Sequence, residues 1–331
     1  MEGFYVMGII LADVGGTNAR FALSRQGDPS LRHVTYLRCA DFESFQDAFE
    51  SFLVRLPVDE QDDNHELSLS VAGPVNDRIV KVSNNPWQFR KDQLLDRLRL
   101  DRLLVINDFT AQALAQYEGT NGNRSQLLDG VEDISAPLLV IGPGTGLGVS
   151  ALIPGAQGPL PVEGEGGNIR FAPRTGAERE LDEYMRQHTD HVVVEHFVSG
   201  PGLENIYSFL ADAAGTVPVL PAERIGATAL QDEGVCRDAV HMMIGILGAV
   251  MADHVLTMGC WGGAVIAGGI MPRLAPLIAG SSFEQRFRSA GEMTSVLARI
   301  PVWMATDPDA GLKGARAALA NPHLAHRRLE R

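Results

Sequence analysis

Six short segments set carboxylates, hydroxyls and bare backbone at spacings that can do chemistry. Asp13-Val14-Gly15-Gly16-Thr17-Asn18 follows an apolar run. Backbone N–H groups in such a turn can face an anion while Asp13 faces the cation that accompanies it, which describes a seat for phosphate with Mg²⁺. The segment matches neither GxxxxGK[ST] nor GxGxxG, and a plain hairpin turn uses the same residues. A second turn, Gly142-Pro143-Gly144-Thr145-Gly146-Leu147-Gly148, places four glycines in seven residues. Bare backbone at Gly144 and Gly146 permits close approach of a ligand, and Thr145 offers a hydroxyl to a phosphate oxygen. Together the two turns suggest a phosphate clamp.

Asn107-Asp108 ends the apolar run Leu103–Asn107 where a helical period begins. Asp108 there reads either as a helix N-cap or as a carboxylate that takes a proton from a substrate hydroxyl, with Asn107 holding that hydroxyl in register. Glu163-Gly164-Glu165-Gly166-Gly167-Asn168 packs two carboxylates among three glycines. That suits a grip on a hydroxyl-rich ligand, because each hydroxyl can donate to a carboxylate, and it also suits an acidic surface loop. Glu195 precedes Ser199-Gly200-Pro201-Gly202, where a helix starts, and taken alone reads as a solvated charge. Gly259-Cys260-Trp261-Gly262-Gly263, a strand at 264–267 and then Gly268-Gly269-Ile270 form another strand-to-glycine junction, suited to a flat adenine or ribose against bare backbone. Trp261 is expected in the core.

The elements that must position these segments read as α/β. Apolar β-branched runs at 8–11, 67–71, 103–106, 138–141 and 264–266 alternate with helical periods at 44–56, 110–117, 178–188, 202–214, 237–258 and 283–289. One strand–glycine turn–strand hairpin near the start of each half suggests internal duplication. Loops are expected at 59–66 and 120–124. The basic stretch His323–Arg331 reads as a solvated helix end or frayed tail.

Composition narrows the function classes. At 331 residues and roughly 150 residues per domain, about two domains are expected. Lys and Arg total 28 against 41 Asp and Glu, a net charge of −13. Nucleic acid and an anionic membrane surface are therefore unsuited partners, and a phosphate-bearing ligand must be held locally. Mean hydropathy is near zero. The three cysteines lack metal-ligand spacing, which speaks against structural zinc or a disulfide framework and suits the cytoplasm. The run 6–12 reads as a strand and not a signal peptide. Met242–Ala252, the longest strongly apolar stretch, is short of a membrane span and reads as a buried helix. Sixteen of the 35 glycines fall in five of the segments above, so the excess serves sites and not linkers.

Taken in order, 13–18, 106–111, 142–148, 164–167, 199–202 and 267–270 resemble the motifs of the bacterial-type glucokinases, and the resemblance runs from about residue 8 to 315. It implies the two-domain hexokinase/actin-like (ribonuclease H-like) ATPase fold with a ligand cleft between the domains. Residues 1–118 plus 308–331 would form the smaller domain, the C-terminal helix packing back on it, and 119–307 the larger. It further implies a cytoplasmic homodimer that phosphorylates the 6-hydroxyl of glucose with ATP and Mg²⁺. Asp108 looks like the catalytic base, and Asn107, Asp108, Glu165, Asn168 and Glu195 like the sugar ligands. Asp13, Val14, Gly15, Gly16, Thr17, Asn18, Gly144, Thr145, Gly146, Gly268 and Gly269 look like the ATP side, with Asp13 reaching the metal through water.

The family commonly has His after Glu-Gly-Gly, where this chain has Asn168. Asn keeps a donor and an acceptor but loses reach and the option of charge, so hexose preference can shift. A non-catalytic sugar sensor on the same scaffold is the competing reading; Asp108 and both turns argue against it, as does the lack of room before the first strand for a DNA-reading helix pair. An actin-like or chaperone-type ATPase would need long additional segments. The zinc-binding cysteine cluster of the related repressor/open-reading-frame/kinase sugar kinases is missing from the sequence.

Overall fold

A computed structural model describes residues 8–61, 65–118, 123–213, 215 and 219–331. The positions before Gly8 in the expected first strand, 62–64 and 120–122 in the expected loops, and Ala214 lie outside the described residues.

The strands are β1 (Gly8–Val14), β2 (Asn18–Arg25), β3 (Asp28–Arg38), β4 (His65–Val71), β5 (Ile79–Lys81), β6 (Gln88–Arg90), β7 (Arg102–Asn107), β8 (Arg124–Leu128), β9 (Leu138–Pro143), β10 (Leu147–Ile153), β11 (Leu160–Gly164), β12 (Gly263–Ile266), β13 (Val302–Ala305) and β14 (Leu329–Glu330). The helices are α1 (Phe45–Leu53), α2 (Lys91–Arg97), α3 (Asp108–Glu118), α4 (Gly176–Met185), α5 (Gly200–Ala213), α6 (Ala222–Gln231), α7 (Val235–Met258), α8 (Met271–Leu274), α9 (Phe283–Arg288), α10 (Thr294–Leu297) and α11 (Ala310–Ala320).

The chain divides into two compact units. One comprises Met1–Thr120, Gly155–Pro161 and Asp307–Arg331; the other comprises Asn121–Pro154 and Val162–Thr306. Gly155–Pro161, inside the range expected for the larger domain, clusters with the first unit, where Asn321 donates to the Pro159 carbonyl at 2.8 Å.

Each unit is built on one six-stranded sheet, ordered β3-β2-β1-β4-β7-β14 and β11-β10-β9-β12-β13-β8. Both contain an antiparallel hairpin, β1/β2 or β9/β10, continued by two parallel strands and closed by an antiparallel edge strand. The expected duplication is therefore present at the level of topology.

In the first unit α1 covers one face of the sheet. Phe45, Ala48, Phe49 and Phe52 recur at helical spacing and are buried, with Ser44 as N-cap. Phe52 stacks on Phe21 of β2 at 5.3 Å between ring centres. On the other face α11 packs on α3 and on β4. A side chain at Gly314 would overlap the Ala111 carbonyl, so glycine there is what lets the two backbones approach. Ser68 of β4 donates to the Ala315 carbonyl at 2.6 Å and fixes α11 on the sheet. The basic C-terminal stretch is not a frayed tail: Leu329 pairs with Leu103 of β7, and the Arg331 amide reaches the Asp101 carbonyl.

The second unit is organised around α7. This helix spans 24 residues, longer than the apolar stretch Met242–Ala252, because Asp238, His241, Asp253 and His254 continue it. By length and composition it could cross a membrane, yet 78% of its most apolar window is buried against the rest of the chain. That packing explains its composition. Trp261, expected in the core, is 37% exposed, because the Gly259 C-cap turns the chain outward there. Glu66 lies within β4 and Arg124 opens β8, so the expected loops are shorter than their charged runs.

Candidate active site

In the first unit, strand register assembles the acidic centre. Asp13 is opposite Arg20 on β2 and level with Ser70 on β4, so all three side chains share one face of the sheet. Ser70 Oγ donates to Asp13 Oδ1 at 3.0 Å, and Arg20 Nη1 lies 3.2 Å from Oδ2. Burial raises the Asp13 carboxyl above its ordinary value, against the opposing pull of Arg20 and Ser70. A buried carboxylate in that condition gains from a further cation.

Val14, Val71 and Asn107 are register partners, so β1, β4 and β7 end level and the ends of β1 and β7 lie roughly 10 Å apart. Asp13 and Asp108 thus flank one carboxyl edge of one sheet. The N-cap of α3 is Asn107 and not Asp108. Its Oδ1 accepts from the amides of Phe109 (2.8 Å) and Thr110 (3.2 Å), and its Nδ2 donates to the Gly73 carbonyl at 3.2 Å. Asp108 is the first residue of the helix, partly exposed, and also accepts from the Phe109 amide at 3.0 Å. The capping explanation for Asp108 thereby falls to its neighbour.

The turn between β1 and β2 corrects one expectation. The Gly15 amide does not face outward; it bonds the Asn18 carbonyl at 2.9 Å and closes the turn. The amides of Gly16 and Thr17 have no partner among the described residues, and Thr17 and Asn18 are exposed at the tip. The β9/β10 turn repeats this. Gly144 N–H bonds the Gly146 carbonyl at 2.7 Å, while the amides of Thr145 and Gly146 are without partners among the described residues. In each turn a glycine amide is spent on shape and the next two are left to bind. Val14 is buried, and its carbonyl accepts from Ala72.

In the second unit Leu147, at the start of β10, joins the β9/β10 turn to the acidic residues. Its amide donates to Glu195 Oε2 at 2.7 Å, and a side chain at Gly146 would come within 2.5 Å of the same oxygen. Glu195 is consequently a fixed, charge-assisted acceptor and not a solvated charge. Ser199 bonds the Glu195 carbonyl at 2.7 Å and caps α5 by accepting from Gly202 at 2.9 Å. The Gly200 amide, in the first turn of α5, meets the Gly144 carbonyl at 2.8 Å. The positive end of the α5 dipole is thereby brought to the turn. Gly167 lies so close to the Leu147 backbone that any side chain would collide with it. The loop bearing Glu165 and Asn168, both exposed, is therefore seated on the same strand. Gly268, at φ +86°, lies against the Pro143 carbonyl, and beside Gly269 there is open space.

The Glu165 carboxyl is raised by partial burial and by the charge of Glu195. Relative to the unfolded chain, its charged form is disfavoured. The associated stability is fully present below the ordinary value of 4.5 and is lost as pH rises through the higher folded value. Glu165→Gln is therefore expected to melt above the parent at pH 7, with the gap closing toward pH 4. Melting curves at the two pH values check the sign.

Three residues that hold these groups carry no motif. Arg20 and Ser70 are found only through register, and Gly311 through packing: a side chain there would run into the Asp13 carboxylate. The available signal is the Gly311-x-x-Gly314 spacing in an alanine-rich run. Among the described residues no group of three or more His, Cys, Asp or Glu could hold a metal ion alone. A lone carboxylate fits an ion such as Mg²⁺, which retains several waters and takes few protein ligands.

Comparison with known proteins agrees with this architecture. The family model described as Glucokinase matches residues 10–322. The glucokinase of Chromohalobacter salexigens is 38% identical over 314 residues, covering 94% of this chain and 97% of that one. That of Helicobacter pylori strain J99 is 39% identical over 332 residues, with 97% of each chain covered. Among solved structures, the glucokinase from an Antarctic psychrotroph superposes with a TM-score of 0.78 at 32% identity, over 95% of this chain and 99% of that one. With the family model matched over residues 10–322 and relatives 38–39% identical over nearly the whole of both chains, the chain belongs to the glucokinase family.

Proposed function

We infer that the chain transfers the γ-phosphoryl group of ATP to the 6-hydroxyl of glucose. The observation that carries the reading beyond family membership is that Asp108, directly after the N-cap Asn107, stands at the same carboxyl edge as Asp13 and its glycine turn. Asp108 accepts the proton of the attacking hydroxyl. Asn107 keeps one Nδ2 hydrogen for that hydroxyl, since only the other is used by Gly73. Glu165, Glu195 and Asn168 accept from and donate to the remaining sugar hydroxyls.

Phosphoryl transfer needs positioning and charge neutralisation more than covalent help. The amides of Gly16, Thr17, Thr145 and Gly146 and the Thr145 hydroxyl supply donors on an acidic chain, and the open backbone at Gly268 and Gly269 accommodates the nucleoside. Asp13 would hold Mg²⁺ through water; that ion, when bound, offsets charge on the terminal phosphates. The reading includes a homodimer and a cytoplasmic setting, in keeping with three free cysteines.

Coupled ADP release with Mg²⁺-ATP, measured without sugar and with glucose, mannose, fructose or N-acetylglucosamine, tests the reaction. Glucose-dependent ADP is expected. Turnover indifferent to sugar, or sugar binding without ADP, would replace this reading with an ATPase or a sensor. Light scattering on the eluted protein tests the dimer.

A further inference from the structure

Asn85, in the loop between β5 and β6, has no part in the reaction as described, yet its half-buried side chain is spent on the turn between β1 and β2. Its Nδ2 donates to the Gly16 carbonyl at 3.0 Å, and its Oδ1 accepts from the Trp87 amide at 2.8 Å. The second bond fixes which end of the carboxamide faces Gly16, because only the oxygen can meet an N–H. Trp87 is buried, and its indole N–H donates to the Phe42 carbonyl at 3.2 Å, so one end of the loop is anchored in the core. The other end is tied to the sheet: the Ser83 amide bonds the Ala72 carbonyl at 2.9 Å, and the Ala72 amide bonds the Val14 carbonyl at 2.8 Å. Asn85 therefore reaches the turn from a support that is itself bonded to the end of β1. A side chain at Gly16 would come within 3.1 Å of the Ser83 carbonyl oxygen, so glycine there admits the loop.

The Gly16 carbonyl and the Thr17 N–H belong to one planar peptide, and in the trans form they point in opposite directions. A donor that holds the carbonyl from the loop side consequently aims the Thr17 N–H away from the loop, where it has no partner among the described residues. Glycine at 16 lets this peptide rotate at little steric cost, so the bond from Asn85 decides where the N–H faces. The next peptide is held by backbone instead, the Thr17 carbonyl accepting from the Cys39 amide at 2.9 Å.

We propose that Asn85 is a positioning residue for phosphate binding, holding the Gly16 carbonyl so that the Thr17 N–H is presented to the phosphates of ATP. The proposal rests on the ATP-dependent reading above.

Asn85→Ser separates the aim of that peptide from the fold of the loop. A serine hydroxyl can still accept from the Trp87 amide in the same kind of local turn, but it is too short to reach Gly16. The variant is expected to raise the KM for ATP about tenfold, the effect of one lost hydrogen bond to a charged group. Its dissociation constant for glucose, titrated without nucleotide, should stay within about twofold of the parent. An unchanged KM for ATP, or equal losses for ATP and glucose, overturns the proposal. If Asn85→Ser does not fold, Asn85→Asp replaces it, since it keeps the shape and the acceptor for Trp87 while losing the donor. Its added charge is screened by comparing it with the parent at about 1 M salt, where the screening length is about 3 Å. A defect for ATP alone that persists there supports the proposal; its absence, or its disappearance in salt, overturns it. Failure of the parent to release ADP with glucose would instead overturn the reaction assignment.

Discussion

Asp108→Asn is expected to lower kcat for glucose phosphorylation by about 10²- to 10⁴-fold, the usual contribution of a positioned general base. Glucose affinity should stay within about threefold. The fold gives a reason for this separation. Asn107 supplies the cap oxygen for both Phe109 and Thr110, so the start of α3 does not depend on the charge of Asp108. The bond that Asp108 Oδ1 accepts from the Phe109 amide is one an amide oxygen can also accept. The start of α3 should therefore survive the substitution, and a melting curve checks that the variant is folded. Steady-state kinetics, glucose titration and a melting curve on one preparation decide the matter. A kcat within tenfold of the parent would show that Asp108 is not the base; lost glucose binding would show that it is chiefly a ligand.

Gly311→Ala is expected to damage both stability and activity, against the sign that helix propensity alone predicts. In an exposed helix interior, Gly→Ala stabilises by about 0.8–1 kcal/mol. Here the new methyl group would occupy the space of the Asp13 carboxylate. Asp13 cannot turn aside without giving up Ser70 and Arg20, which register holds beside it. Overpacking of this kind destabilises by about 1–3 kcal/mol. Displacement of a carboxylate from a phosphate site should remove about two orders of magnitude of kcat. Melting curves and kinetics with varied Mg²⁺-ATP test it. If both remain within twofold of the parent, α11 shifts freely and does not hold Asp13.

The contrast between Gly311 and Asp108 shows which parts of the site a sequence makes legible. Asp108, Glu165, the two turns and the hairpin strands were readable because their chemistry sits in contiguous residues bounded by apolar runs. Arg20 and Ser70 act on Asp13 across strands, and only register brings them there. Helix α11 has no strong apolar period; its Ala and Gly residues give close approach and not a greasy stripe, so the residues alone did not announce it and only the family resemblance did. The Gly15 amide, expected to face an anion, closes its own turn as the Gly144 amide does, a distinction that depends on backbone angles and not on residue type. Trp261, expected in the core, is partly exposed because a left-handed Gly259 turns the chain there.

The composition of the first unit from distant parts of the chain has a kinetic side. Strands β1, β4 and β7 are synthesised early, but α11, which covers one face of that sheet, and β14, which pairs with the outer edge of β7, come from residues 310–330. Until those residues leave the ribosome, β7 presents an unpaired edge and the sheet an uncovered apolar face, the circumstances in which nascent chains pair wrongly or aggregate. The unit that carries Asp13 and Asp108 is thus begun first and completed last, and translation has to deliver nearly the whole chain before that carboxyl edge is backed on both faces.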